Sequence, residues 1–352
     1  MFLNTRSYIA NTCINNEKEF PMQIVDYNAI EKNTLFFKKL IGKSKLCAVL
    51  KNNAYGHGLM HVARHIAELV DYFAVGSADD AEQLLFLQKD TLILLPQNER
   101  DTEKAIKANC ILTVDSFFTL DIVNKVARKL NSTARIHIKI DSGMSRLGFA
   151  YSEIDTLLQA LHNANVVVEG IFSHLYSDTE WECDGQLRYF QDCCSAFEWR
   201  YGKSVLKHIA NSGATLLSPK YHMDMVRVGL GLYGYGNERL SPAKSVFADV
   251  IAVKNVSAGS VVGYGAKYVC STDTRIVVLN VGYATGLPRT MIGAKIKIGN
   301  KFYPIVAICM AMTLVDVGNT EIPVRETATI LGKDVNIAND QVIIYELLCN
   351  LK

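Results

Sequence analysis

From residue 24 onward the chain alternates short apolar runs with longer amphipathic stretches. The runs, rich in Val and Ile, cover 46–50, 72–76, 91–95, 110–114, 135–140, 166–173, 205–210 and 226–233. Short unbroken apolar runs of this kind read as strands buried on both faces. Between them, segments such as 58–70, 79–88 and 116–130 place apolar residues at helical spacing. Strand–helix alternation implies parallel strands. Eight such units within roughly 200 residues predict a closed (β/α)8 barrel. An open doubly wound sheet is the competing arrangement, but no G-x-G-x-x-G follows the first run to support it.

After Tyr235 the rhythm changes. Runs at 245–253, 260–262, 275–281, 295–298, 302–306 and 327–331 are parted by Gly, Asn, Thr and Pro, with few helical patterns between them. This predicts a mostly antiparallel β domain. The boundary falls within 236–241. The expected organisation is an N-terminal extension over 1–22, a barrel over 23–238 and a β domain over 239–352. The extension has mixed polarity, and the β domain is the surface it is expected to pack on.

Composition adds bounds. A chain of 352 residues exceeds the usual size of one hydrophobic core, which agrees with two domains. Apolar content of 49% and charged content of 20% are those of an ordinary globular protein. A formal charge of +2 gives no argument for nucleic acid or membrane binding. No stretch is long and apolar enough to span a bilayer, and the first twenty residues lack the apolar centre of a signal peptide. Nine cysteines without regular spacing suggest no disulfide or metal framework; reduced thiols in a cytoplasm are the simplest reading.

Barrels of this kind carry their chemistry at the carboxyl ends of the strands. The polar residues at those ends are Lys51, the segment 141–146, His174, Asn211, Ser212 and the segment 227–230. A lysine where a buried strand ends loses hydration, which disfavours its ammonium form. The neutral amine can attack an aldehyde. The structural alternative is a lysine that caps the strand and points into water. Ser212, Gly229 and Leu230 lie where the seventh and eighth runs end, a common phosphate site in barrels. The alternative there is a turn serine and a packing glycine. Lys139 alternates with Ile138 and Ile140, so it points into the barrel, where an ammonium close to Arg146 meets like-charge repulsion.

The segment Lys51-Asn52-Asn53-Ala54-Tyr55-Gly56-His57-Gly58 resembles the cofactor-lysine motif of bacterial alanine racemases, A-V-V-K-A-N-A-Y-G-H-G, with Asn52 in place of an alanine. Four further segments are similar to motifs of the same family. His208 to Ser212 matches H-x-A-N-S, and Met225 to Gly229 matches M-V-R-x-G. Asp141 to Gly148 matches D-T-G-M-x-R-L-G, and Val261 to Gly265 matches V-S-Y-G. The resemblance runs from about residue 23 to Tyr345.

The resemblance implies a pyridoxal phosphate (PLP)-dependent isomerase, by default one interconverting L- and D-alanine and supplying D-alanine for the cell wall. It implies that Lys51 carries the cofactor. Tyr55, Ser212, Gly229, Leu230 and Tyr345 then hold its phosphate, with Asn211 beside them. Arg146 contacts the phenolic oxygen and, with Met310, the substrate, while His174 sits near the ring. Lys139 matches a lysine that is carbamylated in some members. Arg227 faces the pyridine nitrogen. A guanidinium is effectively never deprotonated, so that nitrogen stays unprotonated and the ring is a weaker electron sink. Such a ring favours return of a proton over transamination.

Racemisation needs a base on each face of the α-carbon. Lys51 matches one, and Tyr264 matches a tyrosine supplied by the partner subunit, so a homodimer with shared active sites is implied. A free phenol ionises near pH ~10, so a tyrosine acting as a base needs cationic or hydrogen-bonding neighbours.

The departures cluster at the family's entryway. Thr285 stands for an aspartate, Ala307 for an arginine and Ala311 for an aspartate; Asp178 comes one position early. Removing a whole ion-pair set costs less than breaking it halfway, because no buried charge is orphaned. Arg289 keeps its place. The entrance is therefore expected to be wider or less polar, admitting amino acids larger than alanine, such as serine. A fold-related PLP decarboxylase is the second reading, against which Arg227 argues. A non-catalytic PLP-binding homologue is the third, kept open by Ala307 and Ala311.

Overall fold

The computed structural model describes residues 21–335 and 341–351. Nearly all of the expected N-terminal extension lies outside them. The chain divides into two compact units: Val25–Ser245 with Val342–Leu351, and Val246–Gln341 with the described residues up to Ile24.

The first unit is the barrel. Its strands are Lys45–Val49, Tyr72–Val75, Asp90–Ile93, Ile111–Val114, Ala134–Lys139, Val166–Phe172, Leu206–His208 and Met225–Val228. Neighbours pair in parallel, and the eighth strand pairs with the first, Cys47 facing Arg227 and Ala48 facing Val228. The seventh and eighth meet as well: Asp224 N donates to Lys207 O at 3.1 Å and Arg227 N to Ala210 O at 3.0 Å, closing the ring. Tyr72–Val75, Ile111–Val114 and Met225–Val228 are buried at every position. They do not alternate, because inward side chains fill the barrel while outward ones pack under helices.

The helices begin where short polar side chains can accept from the first orphan N–H groups. Asp26, Ser77, Asn98 and Ser116 do so at Tyr27–Ile41, Ala78–Leu84, Glu99–Lys107 and Phe117–Lys129. Helix Tyr27–Ile41 sits so close to the end of the barrel that a Cβ on Gly231 would lie 2.4 Å from the Phe37 ring.

Some elements differ from the sequence pattern. The eighth run, expected over 226–233, is strand only to Val228; Leu230–Tyr233 is a 3-10 turn. Glu180–Tyr201 is a 22-residue helix with exposed Trp181 and Trp199 among buried Cys183, Leu187, Phe190 and Phe197, so its apolar face is blurred in the sequence. A short helix, Ile344–Asn350, belongs to the barrel unit although it is far along the chain.

The second unit is a seven-stranded sheet. Its order is Met22–Val25, Lys244–Val256, Thr274–Leu279, Thr313–Asp316, Lys301–Ile308, Lys295–Ile298, Thr327–Leu331, and Thr327–Leu331 also pairs with Lys244–Val256. The pairings resolved among these strands from Lys244 onward are antiparallel, as expected. Thr313–Asp316 was hidden in the sequence by its alternating polar residues, half of which are buried. Among the described residues, no helix is long and apolar enough to cross a membrane.

Candidate active site

Lys51 follows the first barrel strand directly. The backbone after it coils tightly in the left-handed sense. Asn52, Asn53, Ala54 and Tyr55 all have φ between 53° and 54°, one left-handed turn built without glycine. Such a conformation costs ~1–2 kcal/mol per residue. The turn is pinned throughout: Ala54 N donates to Leu50 O at 2.8 Å, Gly58 N to Asn53 O at 3.0 Å, and Leu59 N to Asn53 Oδ1 at 2.8 Å. His57 adds Nδ1 contacts to Tyr55 O at 2.8 Å and Ala54 O at 3.0 Å. The result brings the Tyr55 ring back under Lys51, whose Nζ lies 5.9 Å from the ring centroid. Burial lowers the pKa of Lys51, and the positive charges of Arg146 and Arg227 lower it further.

Around Tyr55 the expected phosphate residues converge. A Cβ on Gly229 would lie 2.5 Å from the Tyr55 hydroxyl, so only glycine permits this approach. Ser212 Oγ accepts from Gly229 N at 3.0 Å and Gly231 N at 3.1 Å. Leu230 opens the 3-10 turn between those two glycines. The Tyr345 ring lies 5.9 Å from that of Tyr55. Asn211 shapes the neighbourhood: its Oδ1 accepts from Ala214 N at 3.0 Å and its Nδ2 donates to Leu175 O at 3.3 Å.

Arg227 is 4% exposed. Its guanidinium donates to Ser173 O at 2.7 Å, His208 O at 3.1 Å and Ile209 O at 3.3 Å, and meets His208 Nδ1 at 2.9 Å. No carboxylate pairs with it among the described residues. Burial lowers its pKa to about 10, which leaves it a cation at neutral pH. Because a guanidinium only donates, His208 Nδ1 must accept. In the neutral ring His208 Nε2 then carries the proton and faces His137 Nδ1 at 2.9 Å. Burial drives the His208 pKa far down and takes that of His137 to about 3. This chain of one fixed polarity was missed as a network in the sequence. The signal was present, since the alternation that turns Lys139 inward turns His137 inward as well.

Lys139, Asp141, Met144, Arg146, Ser173 and His174 line one small pocket. Burial, followed by the charge of Arg146, lowers Lys139 to about 8. Asp141 Oδ1 accepts from Gly143 N and Ser145 N, both at 3.0 Å, which folds the loop bearing Arg146. Burial, then the charges of Arg227 and Arg146, takes His174 to about 3, so it is neutral and holds no spare proton.

Tyr264 and Met310 lie in the other unit. Tyr264 is 80% exposed on the turn after Val261–Val262, and Met310 is 61% exposed. Gly263 has φ of 80°, and a Cβ there would lie 2.5 Å from that of Ala307. A pocket of about 220 Å³ lies beside Tyr264, with Lys267, Arg289, Val306 and Ala307 in its wall. Thr285, in the aspartate's place, closes its own turn by donating to Gly282 O at 2.9 Å. Arg289 has no ion-pair partner among the described residues.

The family description "Alanine racemase, N-terminal domain" matches residues 25–237, and "Alanine racemase, C-terminal domain" matches 243–352. The alanine racemase of Cutibacterium acnes is 34% identical, over 93% of this chain and 94% of its own length. Alanine racemase 1 of Oceanobacillus iheyensis is 33% identical over 92% and 94%. Among solved structures, the alanine racemase from D-cycloserine producing Streptomyces lavendulae superposes with a TM-score of 0.86 at 28% identity, covering 96% of each chain. That of Bacillus anthracis with bound L-Ala-P gives 0.84 at 27%, over 96% of this chain and 94% of its own. With both of its units matched and relatives aligned over nearly its whole length, the chain belongs to the alanine racemase family.

Proposed function

We propose that this protein interconverts L- and D-alanine, with PLP attached to Lys51. The observation that carries the reading is a half-buried amine at the end of the first barrel strand, in one unit with a buried guanidinium that has no acidic partner among the described residues. The residues fit the cofactor. Lys51 suits its aldehyde; the Tyr55 hydroxyl, Ser212 Oγ and the Gly229 backbone form a cradle that a Cβ on Gly229 would fill, with Tyr345 beside it. Arg227 suits its ring nitrogen.

Bound PLP supplies an electron-withdrawing ring that acidifies the substrate's α C–H. The chain's own groups do the rest. Lys51 Nζ takes or returns the proton on one face, helped by burial that keeps a share of the amine uncharged. Arg227, a donor only, cannot share a nitrogen that already holds a proton. Neutral His174 and His208 offer no competing acid. The hydroxyl of Tyr264 of the partner subunit serves the opposite face, which makes the working unit a homodimer. A fully active monomer contradicts that arrangement.

The direct test is PLP-loaded protein with L-alanine in heavy water. Solvent deuterium at Cα with formation of D-alanine is expected. Release of CO2 in its place supports the decarboxylase reading, and bound PLP without exchange supports the carrier reading. A cytoplasmic enzyme feeding cell-wall synthesis is the physiological role this activity implies; a deletion strain growing without D-alanine counts against it.

The pocket beside Tyr264 has a consequence for substrate range. With alanine at position 307, serine is expected to be turned over with kcat/KM within ~10–200-fold of that for alanine, the scale of one small group in a pocket. Ala307→Arg is expected to widen that gap. A panel in which only alanine is racemised, before and after the substitution, rejects the idea.

A further inference from the structure

Lys244 is 1% exposed, among the largest fully buried side chains of the protein. Its Nζ donates to Leu351 O at 2.7 Å, Leu348 O at 3.0 Å and Gly56 O at 3.5 Å. An ammonium has three protons, and these three carbonyls take them all. No carboxylate pairs with it among the described residues. Burying an ammonium is costly even when carbonyls take its protons, so the site must gain something that an apolar side chain would not give.

What the ammonium joins is informative. Leu348 and Leu351 lie at the end of helix Ile344–Asn350, whose last carbonyls have no partner within the helix. A seven-residue helix is marginal alone. Gly56 ends the left-handed turn that starts after Lys51. The two segments touch: a Cβ on Gly56 would lie 2.4 Å from Leu348 O and 3.2 Å from Lys244 Nζ. Tyr55 precedes Gly56, and Tyr345 is one helical turn before Leu348. The ammonium thus stands behind the two tyrosines of the cradle. His57, next along the turn, stacks on Tyr233 at 4.4 Å and leaves its Nε2 without a hydrogen bond among the described residues.

We propose that Lys244 is a positioning residue for the cofactor phosphate: it clasps the helix bearing Tyr345 to the turn bearing Lys51 and Tyr55, and so sets the spacing of the two hydroxyls. The inference rests on the PLP reading above. It places the two tyrosines of the cradle on segments almost three hundred residues apart, held together by this ammonium as well as by the contact of their rings.

The test is Lys244→Met, which keeps length and volume but removes the donors, with Lys244→Arg as the donor-retaining control. Titrating the apoprotein with PLP is expected to show a dissociation constant raised ~10- to ~100-fold for Lys244→Met, recovered in part by Lys244→Arg. KM for alanine in the saturated enzyme stays unchanged. In the apoprotein, amides of 344–351 exchange faster while those of the barrel strands keep their protection. Unchanged PLP affinity with unchanged exchange at 344–351 overturns the inference. So does a loss of affinity matched by an equal loss of protection throughout the barrel. If Lys244→Met does not fold, wild-type exchange decides: PLP must protect 53–58 and 344–351 together, and protection of 53–58 alone overturns the clasp. Wild-type protein that takes up no PLP sinks the racemase reading and this inference with it. Wild-type uptake equalled by Lys244→Met sinks the inference alone.

Discussion

Lys51→Ala is expected to lower kcat for alanine racemisation by roughly 10²–10⁴-fold through loss of the base alone, and to abolish covalent retention of PLP. Both roles rest on one amine, so the effects cannot be separated by dialysis against excess cofactor. Borohydride reduction of the wild-type protein should fix PLP to the peptide containing Lys51, and the variant should yield no such adduct. The substitution leaves the fold intact. The Lys51 side chain is only partly buried and makes no hydrogen bond that the left-handed turn depends on; that turn is held by Leu50, Asn53, Ala54 and His57. Racemisation by Lys51→Ala at the parental rate ends the proposed mechanism.

Below pH 6 the barrel unit is expected to lose stability steeply. Four histidines in it are held neutral: burial takes His57 to about 4 and His137 and His174 to about 3, and drives His208 far down. The direction follows from linkage. Each folded pKa lies below the unfolded value of ~6.5, so between the two the unfolded chain binds more protons and stability falls as pH falls. Each histidine contributes up to ~1.4 kcal/mol per pH unit. Several acting together weigh heavily against the ~5–15 kcal/mol of a typical domain. Carboxylates act later: Glu103, held to about 2 by hydrogen bonds from Lys107 and Lys129, gives up its share only below its unfolded value of ~4.3. Denaturant midpoints measured from pH 7.5 to 4.5 should therefore drop from about pH 6 downward. A flat profile over that range means that these rings are not held neutral, and with it goes the fixed polarity of the Arg227–His208–His137 chain.

Much of this was legible in the sequence for a physical reason. Barrel strands are buried on both faces, so each reads as a continuous apolar run, and the polar residue that ends each run stands at the mouth. Lys51 and Ser212 could be placed that way, and local motifs added Tyr55, Arg227 and Tyr264. What stayed hidden was non-local or conformational. Nothing in Asn52-Asn53-Ala54-Tyr55 requires four left-handed residues; the hydrogen bonds around them do. Lys244 reads as a surface lysine beside Ser245 until the carbonyls of Leu348 and Leu351 are in place. The helix Ile344–Asn350 follows a stretch too polar to suggest that it returns to the barrel.

That return has a consequence for synthesis. The eight barrel strands are translated by Val228, but the helix carrying Tyr345 emerges only after the whole Val246–Gln341 unit. At ~5–20 residues per second the ribosome needs several to about twenty seconds for that detour. During it the barrel waits without the helix that the proposed vitamin B6 pocket needs as one wall. Stalled nascent chains ending before 344 should fail to retain PLP, and those with the helix clear of the exit tunnel should hold it.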